Sequence, residues 1–236
     1  MKNDVFITGT SCYFPNKPVS NEDMEDFLGL ITGKHSRVKP VILKQNGIKQ
    51  RYYALTKEQK ITHTNAEMAV NSILQLLKNS DISNSEIELL SCATSSPDQM
   101  LPSHASMVHG LLKNKPLEIF SASGICLSCL QAFKTAFWGV LSGEKRNAIC
   151  STSELTSATL LSKNYDIEYE KCADLGVQPY MALEKDFLRF MLSDGASAVL
   201  LQDNPGNGKA LHVEWVEMTS YANELPTCMY MGAERK

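Results

Sequence analysis

The sequence predicts a mixed α/β fold in which helices cover a central sheet. Short apolar runs that are typical of buried strands alternate with segments whose apolar residues recur at helical spacing. The last two predicted strands follow each other without a helix between them, which favours a mixed sheet over a purely parallel one. No internal repeat or low-complexity linker divides the 236 residues, so we expect one domain.

The individual elements follow from apolar spacing, caps and turn residues. Strands are predicted at 5–8, 87–94, 117–120, 148–151, 196–201 and 210–218. Helices are predicted at 20–28, 65–77, 103–112 and 127–141. Two stretches, 31–53 and 162–186, are basic or polar and contain turn signals, so we expect loops there, the second with a short helix.

The composition argues against several classes of protein. The net charge is −3, and no basic stripe with interleaved aromatic residues indicates a nucleic-acid partner. No apolar stretch approaches the roughly 18 residues of a membrane helix, and the first residues do not resemble a secretory signal. We therefore expect a cytoplasmic protein. Its seven cysteines are expected to be free thiols, most of them buried.

Cys126 is the cysteine whose local sequence indicates chemistry. It follows a predicted strand and a turn of small residues, and it precedes the long helix at 127–141. The first amides of a helix have no internal partners, and the helix dipole places partial positive charge there, so a thiolate is stabilised. The same amides can stabilise the oxyanion that forms when a thioester is attacked. The alternative is that Cys126 packs as a small apolar side chain.

Cys126 also forms a CxxC pair with Cys129, which raises a redox or metal alternative. No second CxxC and no neighbouring histidine support a metal site, and the flanking residues are apolar. Cys129 is expected on nearly the same helix face one turn further along, where it packs. A thiol redox protein that uses both cysteines remains a third hypothesis.

Six motif groups carry a resemblance to a known family. They are VFITG at 5–9 with FPN at 14–16 and VSN at 19–21, NGIKQR at 46–51, ATSSPD at 93–98 with LPS at 101–103, CLSCLQA at 126–132, SE at 153–154, and SDGASA at 193–198. In this order they resemble the β-ketoacyl-(acyl-carrier-protein) synthase III family of the thiolase superfamily. The runs at 46–54 and 187–196 are similar to the branch that makes dialkylresorcinol and aryl-polyene-type products. Ser128, Cys129 and Ser193 depart from the family's usual Gly, Phe and Gly.

The resemblance implies a fold and a reaction. The fold is the N-terminal half of a thiolase-like fold, with a mixed five-stranded sheet, over residues 1–236, and the C-terminal half is expected to be absent. The implied activity is that of an acyltransferase. Cys126 forms an acyl intermediate, which then undergoes decarboxylative Claisen condensation with a malonyl thioester, as in fatty-acid or polyketide biosynthesis. The catalytic histidine and asparagine belong to the second half, and none of the five histidines matches, so we expect this chain alone to be inactive in the full condensation.

The resemblance also implies partners. An acyl carrier protein or coenzyme A thioester is the expected substrate, with no further cofactor and no metal. A homodimer, or a heterodimer with another synthase subunit, is expected, and a lone half should expose an apolar face. The alternative function is a non-catalytic thiolase-fold subunit that binds another synthase subunit or an acyl carrier protein.

Further site residues are assigned by the same resemblance. Arg51 is expected to hold the pantetheine or nucleotide part of the carrier, with a surface salt bridge as the alternative. Leu101 lies near the position from which the family sends a side chain across the dimer toward the partner's acyl pocket, with plain core packing as the alternative. Glu154, Asp194 and Gly195 are expected to be structural and to fix turns beside the nucleophile. The 162–186 segment is expected to shape the acyl tunnel or cap, and His104 and His109 are expected at a polar surface or dimer interface.

Overall fold

A six-stranded mixed sheet forms the centre of the protein. A computed structural model describes residues 3–165 and 186–227, and the sheet has the order β5-β4-β6-β7-β1-β8. Its strands are β1 Phe6–Tyr13, β4 Leu89–Thr94, β5 Glu118–Ser123, β6 Asn147–Glu154, β7 Gly195–Gln202 and β8 Leu211–His212, and a separate two-stranded ribbon consists of β2 Val19–Ser20 and β3 Gln50–Arg51. β4, β5 and β6 are parallel, whereas β7 is antiparallel to both β6 and β1.

Helices cover the two faces of this sheet. They are α1 Met24–Leu28, α2 Lys39–Asn46, α3 Asn65–Lys78, α4 His104–Leu112 and α5 Leu127–Leu141, and residues 186–191 are also helical. α3 and α4 pack together with β4 and β7 in one apolar cluster, while α5 packs with β4, β6 and β7 in another. The mixed α/β class predicted from the sequence is therefore confirmed.

The sheet has one strand more than the five that the resemblance implies. The sixth is the two-residue β8, which lies within the strand predicted at 210–218 and pairs with Phe6 and Ile7 at the edge of β1. The predicted strand at 210–218 is shortened to β8, whose two side chains are both exposed. A strand with no buried face gains little from pairing, which explains why the ladder stops after two residues.

β1 is longer than its apolar run predicts. The run 5–8 ends at Gly9, yet the strand continues through Tyr13. A Cβ atom added at Gly9 would lie 2.9 Å from Cδ1 of Leu76, so the missing side chain lets α3 approach the sheet closely. Gly9 therefore lies inside the strand, where it allows close packing, and does not form the turn that a glycine often indicates.

The basic segment at 31–53 is more ordered than a loop-rich arm. It contains α2 and β3, which the sequence analysis did not predict. Pro40 stands in the first turn of α2, and Gly47 ends that helix in the left-handed conformation with φ +67°. Proline and glycine are typical turn residues, but here they mark a helix start and a helix end. Of the predicted loop at 162–186, residues 166–185 lie outside the described part of the chain.

None of the helices within residues 3–165 and 186–227 is both long and apolar enough to cross a bilayer.

Candidate active site

The three parallel strands end at the same edge of the sheet. Thr94, the last residue of β4, pairs with Ser123, the last residue of β5, and Ala93 pairs with Thr152 near the end of β6. The segments that follow these strands therefore meet at one edge, which is where α/β proteins place ligands and catalytic groups.

Cys126 lies at this edge, at the start of α5. Gly124 has φ +147°, a conformation that side chains disfavour, and it turns the chain from β5 toward the helix. Cys126 is the N-cap residue of α5, with φ −52° and ψ −29°, and it is exposed. Its position at a helix start after a strand agrees with the sequence analysis. The sulfur is not sealed inside helix packing, and its role as a nucleophile stays a prediction.

The first turn of α5 is fixed by Ser128. Its N–H donates to the carbonyl oxygen of Ile125 at 3.0 Å, and its hydroxyl donates to the same oxygen at 2.9 Å. The serine that stands where the family has glycine thus stabilises the turn that carries Cys126. Leu127 is the first residue of the helix, so its N–H has no partner within α5.

Glu154 connects the ends of the three strands. Its Oε1 accepts from the N–H of Ser95 at 2.7 Å, and its Oε2 accepts from the hydroxyl of Ser96 at 2.6 Å. The hydroxyl of Ser95 in turn donates to the carbonyl oxygen of Gly124 at 3.0 Å, two residues before Cys126. We call Glu154, Ser95 and Ser96 the carboxylate clamp. It links the end of β6 to the loop after β4 and to the turn after β5.

A second group of polar contacts ties α3 to the same loop. The carboxylate of Asp98 accepts from the N–H groups of Asn65 and Ala66 at 2.7 and 2.9 Å, which satisfies the amides at the helix start. The side-chain amide of Asn65 donates to the hydroxyl of Thr94 and to the carbonyl oxygen of Ser96 at 2.7 and 2.8 Å. The start of α3 and the loop after β4 are therefore held as one unit.

Comparison with known proteins finds similar sequences and similar folds. No family model matches the chain. The beta-ketoacyl-(acyl-carrier-protein) synthase III of Clostridium acetobutylicum is 29% identical over 158 residues, which are 67% of this chain and 45% of that protein. A solved structure titled "AbyA1 - tetronic acid condensing enzyme" superposes with a TM-score of 0.66 at 19% identity, over 84% of this chain and 54% of that one. The 3-oxoacyl-(acyl-carrier-protein) synthase III of Aquifex aeolicus VF5 superposes with a TM-score of 0.61 at 23% identity, over 84% of this chain and 53% of that one.

The chain is similar to β-ketoacyl-(acyl-carrier-protein) synthase III proteins. The two solved structures show that its fold is thiolase-like. The chain spans about half the length of the curated relative it matches. The similarity to these relatives therefore supports the fold, and their activity is a separate question for this chain.

Asp194 is buried, and its expected structural role beside the candidate site stays a prediction. It is 2% exposed and accepts from the N–H of Ala54 at 2.7 Å, from the N–H of Ser157 at 2.8 Å and from the hydroxyls of Ser157 and Thr156. Burial raises the pKa of this carboxyl, and the bonds from Ser157 and Ala54 oppose that shift. Asp194 joins the segment after β3 to the loop after β6. None of these bonds involves the turn that precedes Cys126.

Gly195 follows as the first residue of β7. A Cβ atom added there would lie 3.4 Å from Cδ1 of Phe14, so the position is tight but does not require a left-handed backbone. Ser193, which replaces the glycine usual in synthase III proteins, accepts from the N–H of Tyr52 at 2.9 Å. This serine adds a bond between the segment before β7 and the segment after β3.

Arg51 lies inside the protein and not on its surface. The side chain is 2% exposed, its Nη1 donates to Oδ1 of Asn21 at 3.0 Å, and its Nη2 donates to the carbonyl oxygen of Phe190. The alternative of a surface salt bridge is therefore wrong. The guanidinium is engaged by other parts of the chain, and its expected contact with the carrier of a synthase III substrate stays a prediction.

Leu101 is 82% exposed and lies just before α4. The alternative that it is plain core is wrong. The expected role of this side chain across a dimer stays a prediction.

His104 was wrongly expected at a polar surface or dimer interface. It is 3% exposed, and its Nε2 lies 3.0 Å from the hydroxyl of Ser153. Burial lowers the pKa of this histidine, and the charge of Asp98 opposes that shift. Its spacing with Val108 and Leu112, both buried on the same helix, is the sequence signal that could have placed it inside.

Sequence reasoning also missed the connecting roles of Ser95 and Asn65. Serine just after a strand is typical of ordinary turns, and asparagine is common at helix starts, so nothing in their local sequence indicates a bond to a distant segment. Only the register of β4 and β6 brings Ser95 to Glu154.

No group of three or more His, Cys, Asp or Glu side chains within residues 3–165 and 186–227 is arranged to hold a metal ion. A surface depression of about 280 Å³ lies on the α3 side of the protein. It is lined by Thr62, His63, Glu67, Val70, Asn71 and Leu111. None of these residues belongs to the segments around Cys126, so this depression is separate from the candidate active site.

Proposed function

We propose that this chain is the acyl-accepting half of a 3-oxoacyl-(acyl-carrier-protein) synthase III-like condensing enzyme, with Cys126 as the acceptor. The observation that carries the proposal is the exposed position of Cys126 as the N-cap of α5, at the edge where β4, β5 and β6 end. A thiol there meets a helix dipole and helix amides without internal partners, while solvent and substrate can reach it.

The first stage is acyl transfer to sulfur. The Cys126 thiolate attacks the thioester carbonyl and forms a tetrahedral oxyanion, for which the N–H of Leu127 is the candidate donor. The intermediate collapses, the bond to the carrier sulfur breaks, and the carrier leaves as a thiolate that takes up a proton. The N–H of Ser128 is already bonded to Ile125, so it stabilises the turn and is not the oxyanion donor.

The second stage joins this acyl group to an enolate made from a malonyl thioester. The resemblance implies a histidine and an asparagine for that stage, and none of the five histidines matches the first of them. We therefore propose the condensation for an enzyme that contains those residues, and acyl transfer alone for residues 1–236. A coenzyme A or acyl-carrier thioester as the substrate, and the cytoplasm as the location, belong to the same proposal.

A homodimer through β5 is part of the proposal. β5 is an edge strand, and Ile119 and Phe120 on it are exposed. Apolar, unpaired edge strands are usually covered in native proteins. Pairing of two β5 strands would extend the sheet across both copies.

Intact-mass measurement tests acyl transfer directly. The protein is incubated with octanoyl-coenzyme A, and we expect the mass of one octanoyl group to be added to the wild type. Cys126→Ala should abolish the addition. Cys12→Ala, which changes another exposed cysteine, should retain it. An acyl group that remains in Cys126→Ala, or an unmodified wild type, contradicts the proposal.

The second candidate is a non-catalytic subunit. Leu127, Leu130 and Trp138 are exposed along α5, and such a row of apolar side chains fits the surface of a protein that binds another synthase subunit. This candidate predicts an unmodified wild type in the mass measurement together with stable complex formation in size-exclusion chromatography with a synthase subunit.

A further inference from the structure

Two accessible thiols lie in the first turn of α5. Cys126 is exposed and Cys129 is partly exposed, and the thiol of Cys129 donates to the carbonyl oxygen of Cys126 at 2.9 Å. Cys92 and Cys150 are buried, and burial raises the pKa of Cys150 to about 12. The paired cysteines are therefore exposed to reagents that Cys92 and Cys150 do not meet.

The geometry of a helix start allows a bond between these two sulfurs. Cα atoms three residues apart in a helix are about 5 Å apart, which falls within the span of disulfides. Their Cβ atoms are about 5–6 Å apart in a regular helix, whereas a disulfide needs about 4 Å, so the first turn must tighten by roughly 1–2 Å. Cys126 is the N-cap and precedes the regular part of α5, and Gly124 just before it supplies backbone freedom.

We propose that Cys129 is a resolving cysteine, which closes a reversible disulfide with Cys126 when a peroxide oxidises the Cys126 sulfur. The Cys126 thiolate attacks one peroxide oxygen, the O–O bond breaks, hydroxide leaves, and a sulfenic acid forms. The Cys129 sulfur then attacks the Cys126 sulfur, the S–O bond breaks, and water leaves with the Cys129 proton. The two thiols lose two electrons in total, and the peroxide is reduced to two waters.

The disulfide has two consequences for the site. While it is closed, Cys126 cannot accept an acyl group. It also blocks further oxidation of Cys126 to sulfinic acid, which thiols do not reverse. A dithiol reductant reopens the pair. The inference rests on the proposed function in one respect, because it assigns both acyl acceptance and disulfide formation to the sulfur of Cys126.

Peptide mapping after treatment with hydrogen peroxide tests the inference. The tryptic peptide at 114–134 contains Cys126 and Cys129 and no other cysteine. We expect this peptide to lose two hydrogens in the wild type and to regain them with dithiothreitol. Cys129→Ser should instead accumulate two added oxygens that dithiothreitol does not remove. Cys12→Ser, the matched control, should behave as the wild type does.

Three outcomes would overturn the inference. The wild-type peptide could retain both thiols, it could gain two oxygens as fast as Cys129→Ser does, or it could become linked to a different peptide. Acyl uptake is measured on the reduced protein in parallel. If the reduced wild type takes up no acyl group, the proposed function fails while the disulfide result still stands. If it takes up the acyl group and no internal disulfide forms, the inference alone fails.

Discussion

Replacement of Glu154 by glutamine measures how much the carboxylate clamp stabilises the protein and the turn that precedes Cys126. The carboxylate accepts one bond from Ser95 and one from Ser96. Glutamine keeps the shape but has a single acceptor oxygen, so its amide group faces one of the two donors. Ser96 is the one that can adjust, because its hydroxyl can turn and accept, whereas the N–H of Ser95 can only donate.

The expected magnitude follows from these two bonds. Hydrogen bonds to a charged group contribute about 1.5–3 kcal/mol each, and neutral ones about 0.5–1.5 kcal/mol. Glu154 is partly exposed, which weakens the contribution of its charge. We therefore expect Glu154→Gln to lower the free energy of unfolding by about 1–3 kcal/mol. The turn before Cys126 should also become looser, because Ser95 links it to the clamp.

Urea unfolding measures the free energy of unfolding. The looseness of the turn is measured by the rate at which iodoacetamide alkylates Cys126, read on the 114–134 peptide. Glu144→Gln is the matched control, since Glu144 is an exposed glutamate outside the clamp. The clamp argument is refuted if Glu154→Gln unfolds within about 0.5 kcal/mol of Glu144→Gln, the range of ordinary surface substitutions, and alkylates at the same rate.

Two further predictions concern the fold around the site. Gly9→Ala places a Cβ atom 2.9 Å from Leu76 and should lower the free energy of unfolding by about 1–3 kcal/mol. Gly110→Ala, in α4 with open space around it, is the control and should be neutral or stabilising. Equal effects of the two substitutions in urea unfolding would contradict this account. Burial keeps the folded-state pKa of His104 below its ordinary value of 6.5, so as the pH falls below 6.5 the unfolded state binds more protons at this residue and stability decreases. His104→Gln should remove that part of the decrease between pH 7.5 and 5.5 in thermal melts, and a pH dependence identical to that of the wild type would show that His104 does not cause it.

Periodicity and caps were enough to predict most of the fold. The bounds of α5 agree with the prediction at both ends, because its apolar spacing and the Ser-Gly that follows it act locally. α2 was missed because Pro40 and Gly47 are found both in turns and at helix ends, and the buried Ile42 that selects the helix is a single residue. Packing against other elements selects the helix over the turn, and the local sequence does not show this packing.

In the candidate site, too, local features could be predicted from the sequence and distant contacts could not. Cys126 could be found from its position between a strand and a helix, because both neighbours are local features of the chain. The clamp could not be found, since Ser95 and Glu154 are 59 residues apart and meet only through the pairing of β4 with β6. Burial of Arg51 was equally hidden, because its partner Phe190 is 139 residues away.

The joint between α3 and the loop after β4 has a consequence for cooperativity. Asp98 and Asn65 fasten the helix start to Thr94 and Ser96, and Ser96 in turn holds Glu154. Local fluctuations that fray the α3 terminus therefore disturb the surroundings of the thiol as well, although the two are far apart along the chain.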